Sequence, residues 1–147
     1  MKILLAACNA KYIHSNLAVF NLKAYAKEYD SQVVLREYTI NQLKDDILKD
    51  IYRCHPDVVC VSCYIWNITF VRELMQDLRK ILPDVPFWAG GPEVSYDAET
   101  FLGKNPAFNG VMVGEGEETF LELVKHYVDG SVTLEAVSYT HLRAHET

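Results

Sequence analysis

Residues 57–91 read DVVCVSCYIWNITFVRELMQDLRKILPDVPFWAGG, and this stretch decides the fold. It begins with a short apolar run, DVVCVSC (57–63), and ends with another, PFWAG (86–90). Neither run alternates apolar with polar residues, which is typical of strands covered on both faces of a parallel sheet. Between them lies a stripe of helical period that stops at Pro83: Val71, Leu74, Met75, Leu78, Ile81 and Leu82. The pattern predicts a strand, a helix and a second strand parallel to the first.

The same alternation extends over most of the chain. Three further apolar runs are KILLAA (2–7), QVVLRE (32–37), which is more polar, and GVMVG (110–114). Helical stretches follow at about Ser15 to Tyr29, at Leu43, Ile47 and Ile51, near Asp97 to Leu102, and at Phe120 to Val128. Right-handed crossovers then predict an α/β fold, a Rossmann-like or flavodoxin-like doubly wound five-stranded parallel sheet in the order 2-1-3-4-5.

Length and charge limit the classes of function. The chain has 147 residues, half of them hydrophobic, which fits one domain with a proper core. Its 14 basic and 20 acidic residues give a net charge of −6 without a basic block, which argues against a nucleic-acid partner. No apolar run approaches the roughly 18 residues that span a bilayer.

The start, MKILLAAC, resembles a lipoprotein cleavage box. Only Ile3 to Ala7 precede Cys8, fewer than the apolar stretch of about 7–15 residues that a secretory signal needs. We therefore interpret this segment as a buried first strand and expect a cytoplasmic protein.

Two of the four cysteines, Cys60 and Cys63, have CxxC spacing. They lie inside the apolar run VVCVSCY, whereas redox pairs favour an exposed helix start. The context favours buried, reduced cysteines over a redox or zinc site.

Four loops should share the carboxyl edge of the sheet, where ligands bind in doubly wound folds. They are CNAKYIHSN (8–16), SCYIWN (62–67), GGPEVS (90–95) and GEGEETF (114–120). Gly90 and Gly91, with Gly114 and Gly116, place bare backbone on this rim, and glycine lets a ligand approach the main chain closely. The alternative is that they form ordinary strand-to-helix turns.

Two common ligand classes lack their motifs. No GxGxxG follows the first strand and no GxxxxGK[ST] is present, so nucleotide binding has weak support. A phospho-receiver domain of this topology needs acidic residues after strands one and three. This chain has Cys8-Asn9 and Ser62-Cys63 there, which argues against a phospho-receiver.

Taken together, the segments MKILLAACNAKYIHSNLA, VSCYIWN, GGPEVS and VMVGEGEETFLEL resemble the N-terminal cobalamin (vitamin B12)-binding domain of cobalamin-dependent radical S-adenosylmethionine proteins. The resemblance covers about residues 1–135. It implies a corrin across the carboxyl edge of the sheet, with its nucleotide tail beside the ends of strands three and four.

The resemblance also implies a set of cofactor-binding residues, all on the four loops: Asn9, Lys11, Tyr12, His14, Ser62, Tyr64, Trp66, Asn67, Gly90, Gly91, Pro92, Glu93, Gly114, Glu115, Gly116 and Glu117. Ser62, Tyr64 and Asn67 would hydrogen-bond polar parts of the tail, and Trp66 would pack on the macrocycle. The glutamates would accept hydrogen bonds from corrin amides. Alternatively, each of them caps a helix; Glu117 lies at the start of the last helix, where an acid is favoured.

His14 raises the question of a metal ligand. In related methyl-transferring enzymes a histidine in a D-x-H-x-x-G loop coordinates cobalt. Here the loop keeps His14 but has Tyr12 and Leu17 where the aspartate and the glycine would stand. The aspartate orients the imidazole, so His14 is either a cobalt ligand or a residue lining the loop or the corrin face.

The radical half of such enzymes binds a 4Fe-4S cluster through CxxxCxxC, a spacing that the four cysteines do not provide. S-adenosylmethionine and the cluster would therefore belong to a parent domain that is missing here and would be the partner in cis. From about residue 136 the chain resembles sequencing-adapter read-through, VSYTHLRAHET, so we expect a cobalamin-binding domain over 1–135 and a non-native or disordered tail over 136–147. His141 and His145 are accordingly not interpreted as a metal pair.

The predicted function is a cobalamin-binding module, a fragment of a radical enzyme in which cobalt carries a methyl group or exchanges electrons. The fragment is not expected to be catalytic alone. The alternative is a stand-alone flavodoxin-like protein that binds a flavin or nucleotide at the same rim.

Overall fold

Five parallel strands form the centre of the computed structural model, which describes residues 1–10, 17–113, 116–134 and 139–140. They lie in the order β2-β1-β3-β4-β5, which confirms the predicted doubly wound sheet. The strands are β1 (Ile3–Asn9), β2 (Val33–Thr39), β3 (Val58–Ser62), β4 (Phe87–Gly90) and β5 (Gly110–Val111).

Helices connect the strands. They are α1 (Leu17–Tyr25), α2 (Lys44–Cys54), α3 (Ile68–Ile81), α4 (Pro92–Ser95), α5 (Ala98–Lys104) and α6 (Gly116–Asp129). The first is shorter than the periodicity predicts, because Ala26 leaves helical angles (φ −94°, ψ 30°) and the chain continues as a 3-10 helix over Lys27–Gln32. The single turn α4 has no apolar period of its own, and we did not predict it.

The sheet is covered on both faces, as the uninterrupted apolar runs predict. Alternate side chains of a strand point to opposite faces, and β1 supplies a buried residue to each core in turn. One core joins β1 and β3 to α2, α3 and α5: its members include Leu4, Ala6, Val59, Ile51, Leu74 and Leu102. The other joins them to α1 and α6: its members include Ile3, Leu5, Cys60, Val19, Phe120 and Leu123.

The more polar composition of β2 follows from its position. It is an edge strand that pairs only with β1 within the described sheet. Arg36 and Glu37 are exposed, whereas Val33 and Tyr38 are buried.

A two-residue strand, β6 (Tyr139–Thr140), pairs antiparallel with β5. It lies within residues 136–147, which the sequence indicates to be a non-native or disordered tail. That assignment of the tail, like the boundary at residue 135, stays a prediction.

The amino edge of the sheet is held together by one guanidinium group. Arg79, near the end of α3, donates from Nη2 to the carbonyl of Ala107 at 2.7 Å and to Asn109 Oδ1 at 2.8 Å. Its Nη1 donates to the carbonyls of Val85 at 2.7 Å and Leu82 at 3.0 Å. The group also stacks 3.8 Å from the centre of the Phe87 ring. Arg79 therefore ties α3, the start of β4 and the loop before β5 to one another.

None of the helices described is long and apolar enough to cross a membrane.

Candidate functional site

A cavity of about 460 Å³ opens at the carboxyl edge of the sheet, on the face that carries α1 and α6. It lies over β3 and β4, beside the point where strand order reverses between β1 and β3. Its lining residues come from β1, from α1, from the ends of β3 and β4 and the loops after them, from α4, from the residue after β5 and from the start of α6: Leu5, Asn21, Leu22, Val61, Ser62, Tyr64, Gly90, Gly91, Pro92, Ser95, Met112, Gly116 and Glu117. This is the location at which doubly wound folds bind ligands.

The buried part of this lining is apolar except for one hydroxyl. Leu5, Val61, Gly90 and Met112 are buried, and Ser62 is 8% exposed. We call these five residues the deep end of the cavity. The remaining lining residues are half-buried or exposed and form its mouth.

Gly90 and Gly91 both lack a side chain, but the structural reasons for glycine differ between the two positions. Gly91 has φ 102° and ψ 173°, a conformation that is essentially restricted to glycine. A Cβ atom there would also lie 2.5 Å from the carbonyl oxygen of Cys63. A Cβ atom on Gly90 would instead project toward the deep end and lie 3.1 Å from Cε of Met112. Gly91 is thus required by the main chain itself, whereas Gly90 keeps part of the cavity free.

Asn67 fixes the loop that follows β3. Its Oδ1 accepts from the Tyr64 amide at 2.7 Å, and its Nδ2 donates to the carbonyls of Cys8 at 3.0 Å and Ser62 at 3.2 Å. The side chain is only 1% exposed. Asn67 therefore joins the ends of β1 and β3 and does not line the cavity.

Asn9, the last residue of β1, carries an unsatisfied acceptor. Its Nδ2 donates to Glu37 at 3.2 Å, whereas its Oδ1 is buried and has no hydrogen-bond partner among the described residues. Alternation along β1 places Asn9 on the same sheet face as Leu5, the face of the cavity. A buried acceptor without a partner is costly, and such groups concentrate at functional sites.

Aromatic side chains stand at the mouth. The rings of Tyr64 and Trp66 are stacked, with centroids 5.2 Å apart and planes 2° from parallel. Trp66 is 39% exposed, and its neighbour Ile65 is 78% exposed. The loop thus presents a flat apolar surface beside the cavity, which can pack on another planar group.

The cysteines are free thiols, and all four are buried, as the sequence predicts for Cys60 and Cys63. Burial raises the pKa of Cys8 to about 12 and raises the pKa of Cys60 and Cys63 further. Such thiols remain protonated near neutral pH, so they are poor nucleophiles and poor metal ligands.

Comparison with known families identifies the domain. The model of the B12 binding domain family matches residues 3–124. This chain belongs to the B12-binding domain family. The cobalamin prediction is thereby confirmed, and the comparisons give no support to the flavodoxin-like alternative.

Two curated relatives share this B12-binding domain. The chain is 31% identical over 111 residues to the cobalamin-dependent radical SAM methyltransferase TokK of Streptomyces tokunonensis, a match that covers 70% of this chain and 15% of TokK. It is 33% identical over 69 residues to the 2-(S-pantetheinyl)-carbapenam-3-carboxylate methyltransferase of Streptantibioticus cattleyicolor, covering 47% of this chain and 10% of that protein. The chain therefore spans a small part of the length of these relatives.

Solved structures agree on the fold. The cobalamin-dependent S-adenosylmethionine radical enzyme OxsB, with aqua-cobalamin and S-adenosylmethionine bound, superposes with a TM-score of 0.72 at 17% identity, covering 92% of this chain and 20% of OxsB. A cobalamin-binding protein from Desulfitobacterium hafniense gives 0.56 at 13% identity, covering 86% of this chain and 59% of that protein.

The structure brings together seven of the residues that the sequence assigns to the B12 site. Those that line the cavity are Ser62, Tyr64, Gly90, Gly91, Pro92, Gly116 and Glu117. Trp66 lies beside its mouth through the stack with Tyr64, and Glu93 is exposed at the start of α4. Asn9 and Asn67 are buried outside the lining. Lys11, Tyr12, His14, Gly114 and Glu115 lie outside the described residues, so their assignments stay predictions.

Sequence reasoning missed six lining residues: Leu5, Asn21, Leu22, Val61, Ser95 and Met112. Leu5, Leu22 and Val61 are apolar members of β1, α1 and β3, and their pattern signals only core. Ser95 is the last residue of the GGPEVS loop, and its hydroxyl donates to the Gly91 carbonyl at 2.8 Å. Within the described ranges, no group of three or more His, Cys, Asp or Glu side chains could hold a metal ion.

Proposed function

We propose that this chain holds cobalamin at the carboxyl edge of its sheet, with the nucleotide tail in the cavity and the corrin over its mouth. The observation that carries the proposal is the cavity itself, which opens beside the strand-order reversal and whose deep end Gly90 keeps free. The B12-binding family model matches β1, β3 and β4, which form this edge.

The residues present fit such a cofactor. The apolar side chains of Leu5 and Met112 at the deep end suit an aromatic base, and the buried Oδ1 of Asn9, which has no partner among the described residues, suits a donor group of the cofactor near the end of β1. The stacked pair of Tyr64 and Trp66 provides a flat surface for a macrocycle. Glu93 and Glu117, both exposed, would accept hydrogen bonds from peripheral amides.

Three further residues would position the loops that hold the cofactor. Asn67 fixes the loop after β3, so that Tyr64 and Trp66 keep their orientation. Gly91 permits the turn from β4 into α4, and Ser95 secures that turn. When bound, cobalamin supplies a cobalt centre that can carry a methyl group or exchange electrons.

For the intact protein we propose a cobalamin-dependent radical S-adenosylmethionine enzyme, whose further domain would hold the 4Fe-4S cluster and S-adenosylmethionine. The relatives that support this, TokK and OxsB, are described as such enzymes. A methyl transfer is the favoured reaction, because both curated relatives are methyltransferases. The cytoplasmic location that the sequence analysis predicts stays a proposal.

Retention of corrin by the full 147-residue chain tests the binding proposal. The chain is mixed with hydroxocobalamin or with flavin mononucleotide and passed over a size-exclusion column. We expect corrin absorbance to co-elute with the protein and flavin to be lost. Gly90→Val should abolish retention, because its branches would occupy the deep end beside Met112.

Gly103→Ala is the matched control, since an added Cβ at Gly103 meets nothing within 4 Å. It should retain corrin like the parent chain, and circular dichroism should show that both variants are folded. Retained flavin, or a folded Gly90→Val variant that keeps its corrin, would contradict the proposal.

A further inference from the structure

The deep end of the cavity offers few partners to a polar ligand. Four of its five residues, Leu5, Val61, Gly90 and Met112, have no polar side-chain atom that hydrogen-bonds strongly. The fifth, Ser62, contributes one hydroxyl, which is one donor with two acceptor lone pairs.

The main chain around the deep end is already engaged. The carbonyl of Gly90 accepts from the Cys63 amide at 2.7 Å, and the amide of Met112 donates to the Ala89 carbonyl at 2.8 Å. The hydroxyl of Ser95 at the mouth donates its proton to the Gly91 carbonyl, so it can serve a ligand only as an acceptor. Among the described residues, the Ser62 hydroxyl is thus the one side-chain group at the deep end that can form a strong hydrogen bond with a buried base.

We propose that this deep end selects corrinoids by their lower base and prefers dimethylbenzimidazole to a purine. The inference rests on the proposed function, because it assumes that the nucleotide tail enters the cavity. A benzimidazole with methyl substituents presents apolar edges that the side chains of Leu5 and Met112 can cover. A purine such as adenine carries an exocyclic amine and further ring nitrogens, and a single hydroxyl cannot satisfy them all.

An unsatisfied buried polar group weakens binding, because the ligand loses its hydrogen bonds to water without replacement. We therefore expect the chain to bind the benzimidazole corrinoid about tenfold or more tightly than its adenine counterpart. Pockets that hydrogen-bond a ligand's polar groups discriminate strongly between ligands, whereas apolar pockets discriminate moderately. We therefore expect the adenine corrinoid to bind more weakly but still measurably.

Met112 is the specificity-determining residue in this arrangement. Its Cε is the atom nearest to the open side of Gly90, at 3.1 Å from the position of an added Cβ. A thioether is flexible and packs favourably against aromatic rings. Met112 can therefore close on a benzimidazole but can satisfy no purine amine.

The test measures binding of three corrinoids to the 147-residue chain by equilibrium dialysis with corrin absorbance. They are cobalamin, the cobamide with adenine as lower base, and cobinamide, which has no base. Met112→Gln has nearly the same shape and adds an amide donor and acceptor to the deep end, so it should narrow the preference by about tenfold. Met112→Leu is the apolar control and should keep the preference of the parent chain. Thermal unfolding of each variant verifies that it is folded.

Each outcome is decisive. A preference for cobalamin that Met112→Gln narrows and Met112→Leu preserves supports the inference. Equal affinity for the two cobamides overturns it, as does equal affinity for cobinamide and cobalamin, because the base then contributes nothing; both results leave corrin binding intact. If none of the three corrinoids binds, the proposed function fails together with the inference.

Discussion

The amino and carboxyl edges of the sheet differ in one respect: within the described residues, a polar side chain at the amino edge is fully hydrogen-bonded, whereas one buried acceptor at the carboxyl edge is not. At the amino edge, Arg79 serves the carbonyls of Leu82, Val85 and Ala107 and the side chain of Asn109. At the carboxyl edge, the buried Oδ1 of Asn9 has no partner among the described residues, and a cavity remains open.

The contrast separates stability from binding. Satisfied hydrogen bonds and close packing at the amino edge stabilise the fold and leave nothing for a ligand. The carboxyl edge keeps unsatisfied and exposed groups at some cost in stability, and that is typical of functional sites. Changes at the amino edge should therefore alter the free energy of unfolding, and most changes at the carboxyl edge should alter the affinity for cobalamin.

The largest effect is expected for Arg79→Ala. The substitution removes the Arg79 donor from the carbonyls of Leu82, Val85 and Ala107, so the free energy of unfolding should fall by about 3 kcal/mol. Urea unfolding measures the loss. Arg79→Lys keeps the charge without the planar fork and should lose an intermediate amount. The affinity of the folded variant for cobalamin should stay within about twofold of the parent; a large loss of affinity would break the separation of the two edges.

Gly91→Ala is the exception that sharpens the comparison, because it should affect both properties. The positive φ of 102° and the close approach of the Cys63 carbonyl make any side chain strained there, at a cost of about 2–3 kcal/mol. Corrin affinity should fall as well, since the turn into α4 forms part of the mouth. Gly103→Ala lies in a helix with open space around it and should be neutral or slightly stabilising. Unchanged stability of Gly91→Ala would refute the steric argument.

A smaller effect, confined to binding, is expected for Trp66→Ala. This exposed ring contributes little to the core, so the unfolding midpoint should barely change. The affinity for cobalamin should fall about tenfold through lost aromatic packing. Tyr52→Ala removes an aromatic residue of similar exposure on α2, away from the cavity, and should leave the affinity unchanged. Equal losses in both variants would show that the effect is not specific to the mouth.

The smallest effect concerns pH and the core between the two edges. Burial raises the pKa of Cys8 from 9.0 and that of Tyr127 from 10.0, each to about 12. Both groups are thus favoured in their protonated form when folded, so their contribution is fully present below pH 9 and is lost as pH rises toward 12. Urea unfolding should give the same stability at pH 7 and pH 8 and a decline above about pH 9. A decline that is complete by pH 8 would contradict these pKa values.

The GGPEVS loop shows which features of the site the local sequence pattern predicts and which it does not. Its glycines were placed correctly at the end of β4 and beside the cavity, because a strand that ends in glycine signals a turn or a close approach. The reasons for the two residues could not be separated in advance. A side chain at position 91 is excluded by the Cys63 carbonyl, which lies 28 positions earlier in the chain. A side chain at position 90 would crowd Met112, which lies 22 positions later.

Residue type alone did not indicate the structural role of Asn67 or the position of Met112, and the assignment of Asn67 to the cofactor stays a prediction. An asparagine in a rim loop favours a ligand contact, yet its amide is committed to main-chain groups of β1 and β3. A methionine in an apolar run predicts only core, yet this one lines the cavity. Both roles depend on which distant segments approach the side chain.

The sequence by itself determined the order of strands and helices, the five-strand sheet order and the edge that the four loops should share. Hydrophobic period is a local property, and the handedness of crossovers leaves few topologies for such a pattern. Only the tertiary structure decided which side chains line the cavity, which are hydrogen-bonded to the main chain and which buried acceptor has no partner among the described residues. Those properties depend on contacts between residues far apart in the chain, and no local pattern encodes such contacts.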